Sequence, residues 1–232
     1  QDIASEVRLA QLGVSGFAER GSLKPFAPAL TVDGVELDSL RALLDGRPVL
    51  IGASSHAGDE AELIRAMERL KSKGWFCVLV PRDIGRADAI CKALTAAGLS
   101  YMRRSEGELL SPETDVLLAD SYGEMGLWYA LGDVALVGGG FDAIGGHNPW
   151  EAVALDTAVL HGPDTYNFVG DYELLDRAGG ALAVIPSSLS DVMPKQDERR
   201  LMRKKATKVR DDAAKKIDCL VVQILALLRP VQ

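Results

Sequence analysis

The sequence predicts an α/β fold, a doubly wound parallel sheet of the Rossmann-like kind, and three observations predict it. First, apolar runs of strand length recur at 49–53, 75–80, 116–119, 134–137, 158–160 and 181–185, which gives about six strands. Second, helical stretches separate most of them, at 59–73, 84–97 and 123–131. The runs are continuously apolar rather than alternating, as strands are when helices cover both faces of a sheet, and strand–helix alternation makes such strands parallel. Third, every polar or glycine-rich motif begins just after an apolar run. In open α/β sheets ligands bind beyond the carboxyl ends of the strands, so motifs a hundred positions apart converge on one rim.

Taken in order, residues 1–13 read as a helix stopped by Gly13. Residues 14–46 are mixed, with Pro25, Pro28 and Gly34, and hold a short helix near 37–44. The regular pattern starts at Arg47. This divides the chain into a linking segment (1–46), the sheet domain (47–193) and a helical segment (194–232). The helical segment opens with KQDERRLMRKKATKVRDDAAKK, a solvated helix face laced with i,i+4 ion pairs. Its RRLMRKK cluster is the alternative meeting point for anionic lipid, but acidic residues are interspersed. The last apolar stretch, IDCLVVQILALL (217–228), is shorter than the ~20 residues a spanning helix needs and is interrupted by Asp218 and Gln223. A packed C-terminal helix is expected, with a membrane-surface helix as the alternative.

Composition narrows the function. Of 232 residues, 47% are hydrophobic and 25% charged, as in an ordinary soluble globular chain. The net charge of −7 argues against a nucleic-acid backbone binder. Cys77, Cys91 and Cys219 have no metal or CxxC spacing and no disulfide framework, and Cys77 reads as a core residue. His56 and His147 lie in loops without a third ligand at metal spacing, so no metal site is expected.

The stretch from Asp120 to Glu151 concentrates the chemistry. Residues 133–137 empty into Gly138, Gly139 and Gly140, then Gly145 and Gly146, where a ligand can approach the main chain closely. Asn148, Pro149 and Glu151 read as a helix start, with Asn148 as N-cap and Pro149 at the first helical position. Glycines running into a helix start make a place for an anionic group. Glu151 has two readings: the far half of a capping box, or a carboxylate that accepts from ribose hydroxyls. Arg82, at the end of the second run, is either a fork for phosphate or carboxylate or a surface ion pair. Gly123 and Glu124 open a helix whose first turn favours an acid by itself and whose N–H groups equally suit a phosphate.

Six motifs, in order, resemble those of the 3-deoxy-D-manno-oct-2-ulosonic acid (Kdo) transferases: GSLK (21–24), ASSHAGDE (53–60), PRDIGR (81–86), YGEMG (122–126), GGHNPWE (145–151) and HGPDTYNF (161–168). Together they cover most of the chain. The resemblance implies the C-terminal, donor-binding half of a GT-B glycosyltransferase, and therefore a piece of a longer protein whose N-terminal acceptor domain is missing here. It implies an inverting enzyme that uses no metal or other cofactor and moves Kdo from CMP-Kdo to a lipid A precursor in lipopolysaccharide synthesis. The whole protein is then expected at the cytoplasmic face of the inner membrane, through peripheral contact, and this chain by itself to be soluble. By likeness, Pro81, Arg82, Tyr122, Gly123, Glu124, Asn148, Pro149, Trp150 and Glu151 hold the CMP. Ser55, His56, Gly139, Gly140, Gly146 and His147 form the donor-site loops. Lys24 stabilises the departing charge, a task suited to a preorganised cation. The family's general base lies in the acceptor half, so none is assigned. Two rival functions stay open: a GT-B enzyme for another nucleotide sugar, and a non-catalytic nucleotide-sugar-binding module.

The chain departs from the family pattern at several places. Asp83 and Ile84 replace His-Pro after Arg82; Ala57 and Asp59 thin out a glutamate-rich motif; Tyr122 stands for Met; Phe141 follows Gly140 in place of Ser-Leu; Trp150 stands for Leu. Asp83 brings negative charge to a phosphate-facing rim, and Phe141 and Trp150 are expected to reshape the base or sugar pocket.

Overall fold

A computed structural model describes residues 3–15, 22–107 and 110–227, and within them the side chains of all but 3–5 and 216–227. The expected packing of 217–228 and the setting of Cys219 lie outside the described side chains.

The sheet has seven strands, all parallel: β1 (Val49–Ser55), β2 (Phe76–Pro81), β3 (Tyr101–Arg103), β4 (Val116–Leu118), β5 (Val134–Val137), β6 (Ala158–His161) and β7 (Ala181–Ala183). Their spatial order is β3-β4-β2-β1-β5-β6-β7. The additional strand is β3. Its residues are only half-buried and include Arg103, so no apolar run marks it; it is a strand because Tyr101–Arg103 pair with Val116–Leu118.

Successive residues of a strand face opposite sides of the sheet. Val49, Ile51 and Ala53 join Phe76, Val78 and Val80 in one apolar layer. That layer is covered by α2 (Gly34–Leu44), α5 (Met125–Leu131), α6 (Trp150–Ala154), α7 (Val169–Ala178) and Ala206 of α8 (Gln196–Leu227). Leu50, Cys77 and Leu79 face the other layer, closed by α3 (Ala57–Leu70) and α4 (Ala87–Ala96). The first helix, α1 (Ile3–Gln11), ends before Gly13 at φ 86°.

Local chemistry sets the helix ends. Asp33 caps α2, its carboxylate accepting from the Glu36 N–H at 3.1 Å. The expected helix 84–97 is a 3₁₀ turn, Ile84–Arg86, leading into α4, because the Asp83 carboxylate accepts from the Gly85 N–H at 2.9 Å. Asp83, the departure from the family pattern, is thus tied up as a cap. Along α8, Asp212 pairs with Lys208 and Lys215, but Arg199 is buried, its guanidinium stacked over Trp75 and 3.6 Å from Asp133. That helix is anchored to the sheet, not wholly solvated. Among the described residues no helix is long and apolar enough to cross a membrane.

Candidate functional site

The chain reverses its strand order at β1, with β2 on one side and β5 on the other. Crevices at such switch points, beyond the carboxyl ends of the strands, are where doubly wound sheets bind ligands. Here β1 runs into Ser54, Ser55 and His56, and β5 into Gly138–Gly140. Ser54 takes the left-handed conformation (φ 52°), at a cost of about 1–2 kcal/mol for an L residue, where the β1–β2 register breaks between Ala53 and Ser55.

The two loops are tied together by Asp59, a residue that no sequence pattern marked as central. Its side chain is wholly buried and accepts from the N–H groups of His56 (2.9 Å), Gly139 (2.7 Å) and Phe141 (3.3 Å). Burial outweighs these bonds and leaves its carboxyl above the ordinary value. A second carboxylate, Asp142, accepts from the Gly58 N–H at 2.7 Å. The glycines permit this closure: a Cβ on Gly140 would stand 2.7 Å from the Gly162 Cα, and one on Gly138 would stand 2.6 Å from the Ser54 carbonyl oxygen. The only sequence signal for Asp59 was its place inside ASSHAGDE.

Across the crevice the Nε2 atoms of His56 and His147 lie 2.9 Å apart, and the two rings meet edge to edge, their planes 15° apart and their centroids 5.1 Å apart. The Tyr172 hydroxyl donates to the His147 carbonyl at 2.9 Å. Ser55 is buried, and its carbonyl accepts from the Arg82 N–H at 2.9 Å, which brings the end of β2 alongside. Pro81 is buried and the Arg82 side chain exposed. Ser55, His56, Pro81, Arg82, Gly139, Gly140, Gly146 and His147 therefore stand at one place.

The helix start at 148–151 differs from the reading of its residues. α6 starts at Trp150, so Pro149 rather than Asn148 holds the cap position, and Asn148 Oδ1 accepts from the Trp150 N–H at 3.2 Å from one residue further out. Glu151 Oε1 instead accepts from the Asn148 side-chain amide at 3.2 Å, and Oε2 holds no hydrogen bond among the described residues. The reciprocal half of the capping box is absent, leaving a carboxylate oxygen for another donor. The helix that follows, α6, has only five residues, so it adds little macrodipole; the 14-residue α3 opens on the same crevice. Pro149 and Trp150 are buried, and the Trp150 Nε1 donates to Asp171 at 2.8 Å. The Trp150 ring belongs to the core.

Two expected groups stand apart from this cluster. Tyr122 is 70% exposed and Gly123 takes φ 94°; α5 begins at Met125, two residues later than expected. The Glu124 carboxylate is paired with Arg104 at 2.6 Å and accepts from Ser121, while Arg104 also reaches Glu36. Lys24 opens a 3₁₀ turn, Lys24–Phe26, and its ammonium lies 3.4 Å from the Phe168 ring centroid. Arg210 holds that turn, donating to the Pro25 carbonyl at 3.0 Å. The neighbouring Asn167 donates to the Gly145 and Ile144 carbonyls, so the Lys24–Phe168 contact is tied to the glycine loop through Asn167. Among the described residues, no hydrogen bond or ion pair joins Lys24 or Tyr122–Glu124 to the histidines, and no group of three or more His, Cys, Asp or Glu suits a metal ion.

Acid titration should expose two of these carboxylates. Burial alone would raise Asp120, but the Ser105 hydroxyl and N–H and then Arg103 hold it below the ordinary range; Arg104 and Ser121 do the same for the half-buried Glu124. Lowered folded-state values mean that their stabilisation is full above about pH 4 and is lost as the pH falls through those values. Asp59, with its raised value, runs in the opposite sense. We expect the melting temperature of Asp120→Asn to be below wild type at pH 6 and to fall less steeply between pH 5 and 2.5. Parallel acid limbs would count against this account of Asp120.

The seven-stranded parallel sheet flanked by helices is the fold of a C-terminal half of the GT-B glycosyltransferase architecture. The C-terminal domain of the group 1 glycosyl transferase LpcC from Francisella tularensis shares the fold, with a TM-score of 0.51 at 14% identity over 81% of this chain and 96% of that one. No protein-family model matches the sequence. A 3-deoxy-D-manno-octulosonic acid transferase from Bordetella pertussis is 40% identical over 181 residues, 75% of this chain and 42% of the relative. The crystal structure of the C-terminal CMP-Kdo binding domain of WaaA from Acinetobacter baumannii matches with a TM-score of 0.71 and 30% identity, over 75% of this chain and 96% of that domain. The chain belongs to the 3-deoxy-D-manno-octulosonic acid transferase family. It spans a third to a half of the length of the curated relatives it matches.

Proposed function

We propose that this chain binds CMP-Kdo and forms the donor half of an inverting Kdo transferase that acts on a lipid A precursor. The observation that carries the reading is the meeting of the β1, β2 and β5 ends in one crevice, with Arg82, the histidine pair and the open oxygen of Glu151 around it. The 30% identity to a CMP-Kdo binding domain, almost all of which this chain covers, supports the same ligand. In this reading Glu151 accepts from the ribose hydroxyls and Arg82 faces an anionic group. Pro81, Tyr122–Glu124 and Asn148–Trp150 complete the CMP site, partly through their main chain. Lys24, held on Phe168, meets the charge that develops on the departing phosphate, where a preorganised cation is most effective. Residues 1–46 link to an acceptor domain that supplies the base and closes over the donor, 47–193 form the nucleotide domain and 194–232 the helical segment. Peripheral contact of the whole protein with the inner membrane follows from a lipid acceptor.

Calorimetric titration of the chain with CMP, UMP, UDP and CMP-sugars tests the donor assignment. We expect weak binding with CMP preferred over UDP, because no second domain closes over the ligand to exclude water. Equal or tighter binding of UDP would sink the CMP assignment.

A further inference from the structure

We propose that the His56–His147 pair takes up one proton when an oxyanion of the donor binds, so that donor affinity is coupled to pH through these two side chains. The proposal rests on the donor-site reading above and goes beyond it by giving the pair a titrating role. The two imidazoles come from segments 91 residues apart, one at the start of α3 and one in the glycine loop, and meet only across the crevice. A 2.9 Å contact between two ring nitrogens requires one hydrogen between them. With none, two lone pairs face each other; with two, two N–H groups do. In the neutral pair one ring donates through Nε2–H and carries a bare Nδ1. A proton added to that Nδ1 turns the donor into an imidazolium and strengthens the bond by charge assistance. A second added proton breaks it. The pair is therefore built to carry a charge of zero or one.

The charges that face it decide which. From β2 comes Arg82, whose exposed guanidinium makes no ion pair among the described residues. From α3 comes Asp59, its carboxylate already engaged by three N–H groups, and Glu60, which is paired with Arg86 at 2.6 Å. From the loop after β5 comes Asp142, engaged by the Gly58 N–H. From α7 comes Tyr172, which donates to the His147 carbonyl. Burial first, then His56 and Arg82, push His147 below the ordinary histidine value. Asp59 and Asp142 are committed to backbone donors and Glu60 to Arg86, which leaves the Arg82 guanidinium as the uncompensated charge facing the pair. An oxyanion set between Arg82 and the pair reverses this balance: it neutralises the repulsion from Arg82 and attracts the added proton. By linkage, a ligand that raises the proton affinity of the pair must itself bind more tightly as the pH falls. The donor carries two oxyanions, the nucleotide phosphate and the sugar carboxylate.

The test uses wild-type chain with two ligands whose own charge is constant from pH 6 to 8: the methyl phosphodiester of CMP, which has the phosphate alone, and CMP-Kdo, which adds the carboxylate. Titration calorimetry in buffers of different ionisation enthalpy counts the protons taken up. NMR of the imidazole protons follows the pair, with His161, buried against Asp176, as the third and separate signal. We expect affinity for at least one ligand to rise about five- to tenfold from pH 8 to pH 6, with uptake of up to one proton carried by the His56 and His147 signals. Uptake with both ligands assigns the phosphate; uptake with CMP-Kdo alone assigns the carboxylate. With both rings replaced, in the double variant His56→Gln and His147→Gln, uptake should vanish. Binding that is flat in pH and in buffer overturns the proposal and leaves the donor site standing. Uptake that survives both substitutions also overturns it, and moves the proton to Asp59. Failure of either ligand to bind at any pH sinks the donor-site reading itself.

Discussion

Asp59→Ala should lower stability by about 3–4 kcal/mol, the largest effect expected of any single change at the crevice. Three N–H groups, from His56, Gly139 and Phe141, lose their acceptor at once, and the side chain that held them is fully buried, so water does not replace it without opening the loop. For a domain of this size the melting temperature should fall by roughly 6–16 °C. CMP binding should be lost with it, because both glycine-loop contacts go. Asp59→Asn separates acceptor from charge. With its oxygen on the His56 and Gly139 side it keeps two bonds, but its amide then faces the Phe141 N–H, donor against donor. We expect it to be intermediate, about 1–2 kcal/mol below wild type. Since burial holds the Asp59 carboxyl above the ordinary value, the gap between wild type and Asn should narrow as the pH rises. Thermal melts of the three proteins at pH 5 and pH 8 provide the check. An Ala variant within 1 kcal/mol of wild type would mean that Asp59 is not the tie between the loops.

Glu151→Gln should leave melting near native and weaken CMP binding about tenfold or more. The structure makes the separation cleaner than the residues alone suggest. Glu151 is tied to Asn148 through one oxygen and the Asn148 amide, a contact that a Gln carbonyl retains. What Gln loses is the second oxygen, which holds no hydrogen bond among the described residues and in our reading accepts from ribose. Stability should change by a few tenths of a kcal/mol, through the charge lost at the start of a helix. Wild type should prefer CMP to deoxy-CMP, and the variant should lose most of that preference. If the variant melts like wild type and binds CMP as tightly, Glu151 is only part of a helix start and the nucleotide lies elsewhere.

The sequence alone determined the class of fold and the rim of the sheet on which its polar and glycine-rich motifs gather. Continuous apolar runs report burial on both faces, helical stretches between them impose parallel strands, and glycines and caps mark where each strand ends. These are local properties, legible over five to fifteen residues, and they place Ser55, Arg82, Gly139 and His147 on one rim. What only the tertiary structure decided depends on contacts between distant segments. Tyr101–Arg103 has no apolar signature and becomes a strand because β4 offers it an edge. Trp150, read as a residue that reshapes the pocket, turns inward because the Asp171 carboxylate accepts its indole N–H within the core. Asp59 looked like a weakened family motif, yet it joins two loops some 80 residues apart, since buried N–H groups need an acceptor wherever the chain supplies one. The two histidines are unremarkable in their own loops. Their 2.9 Å contact exists because β1 and β5 are neighbours in the sheet, a fact of strand order that no local pattern encodes.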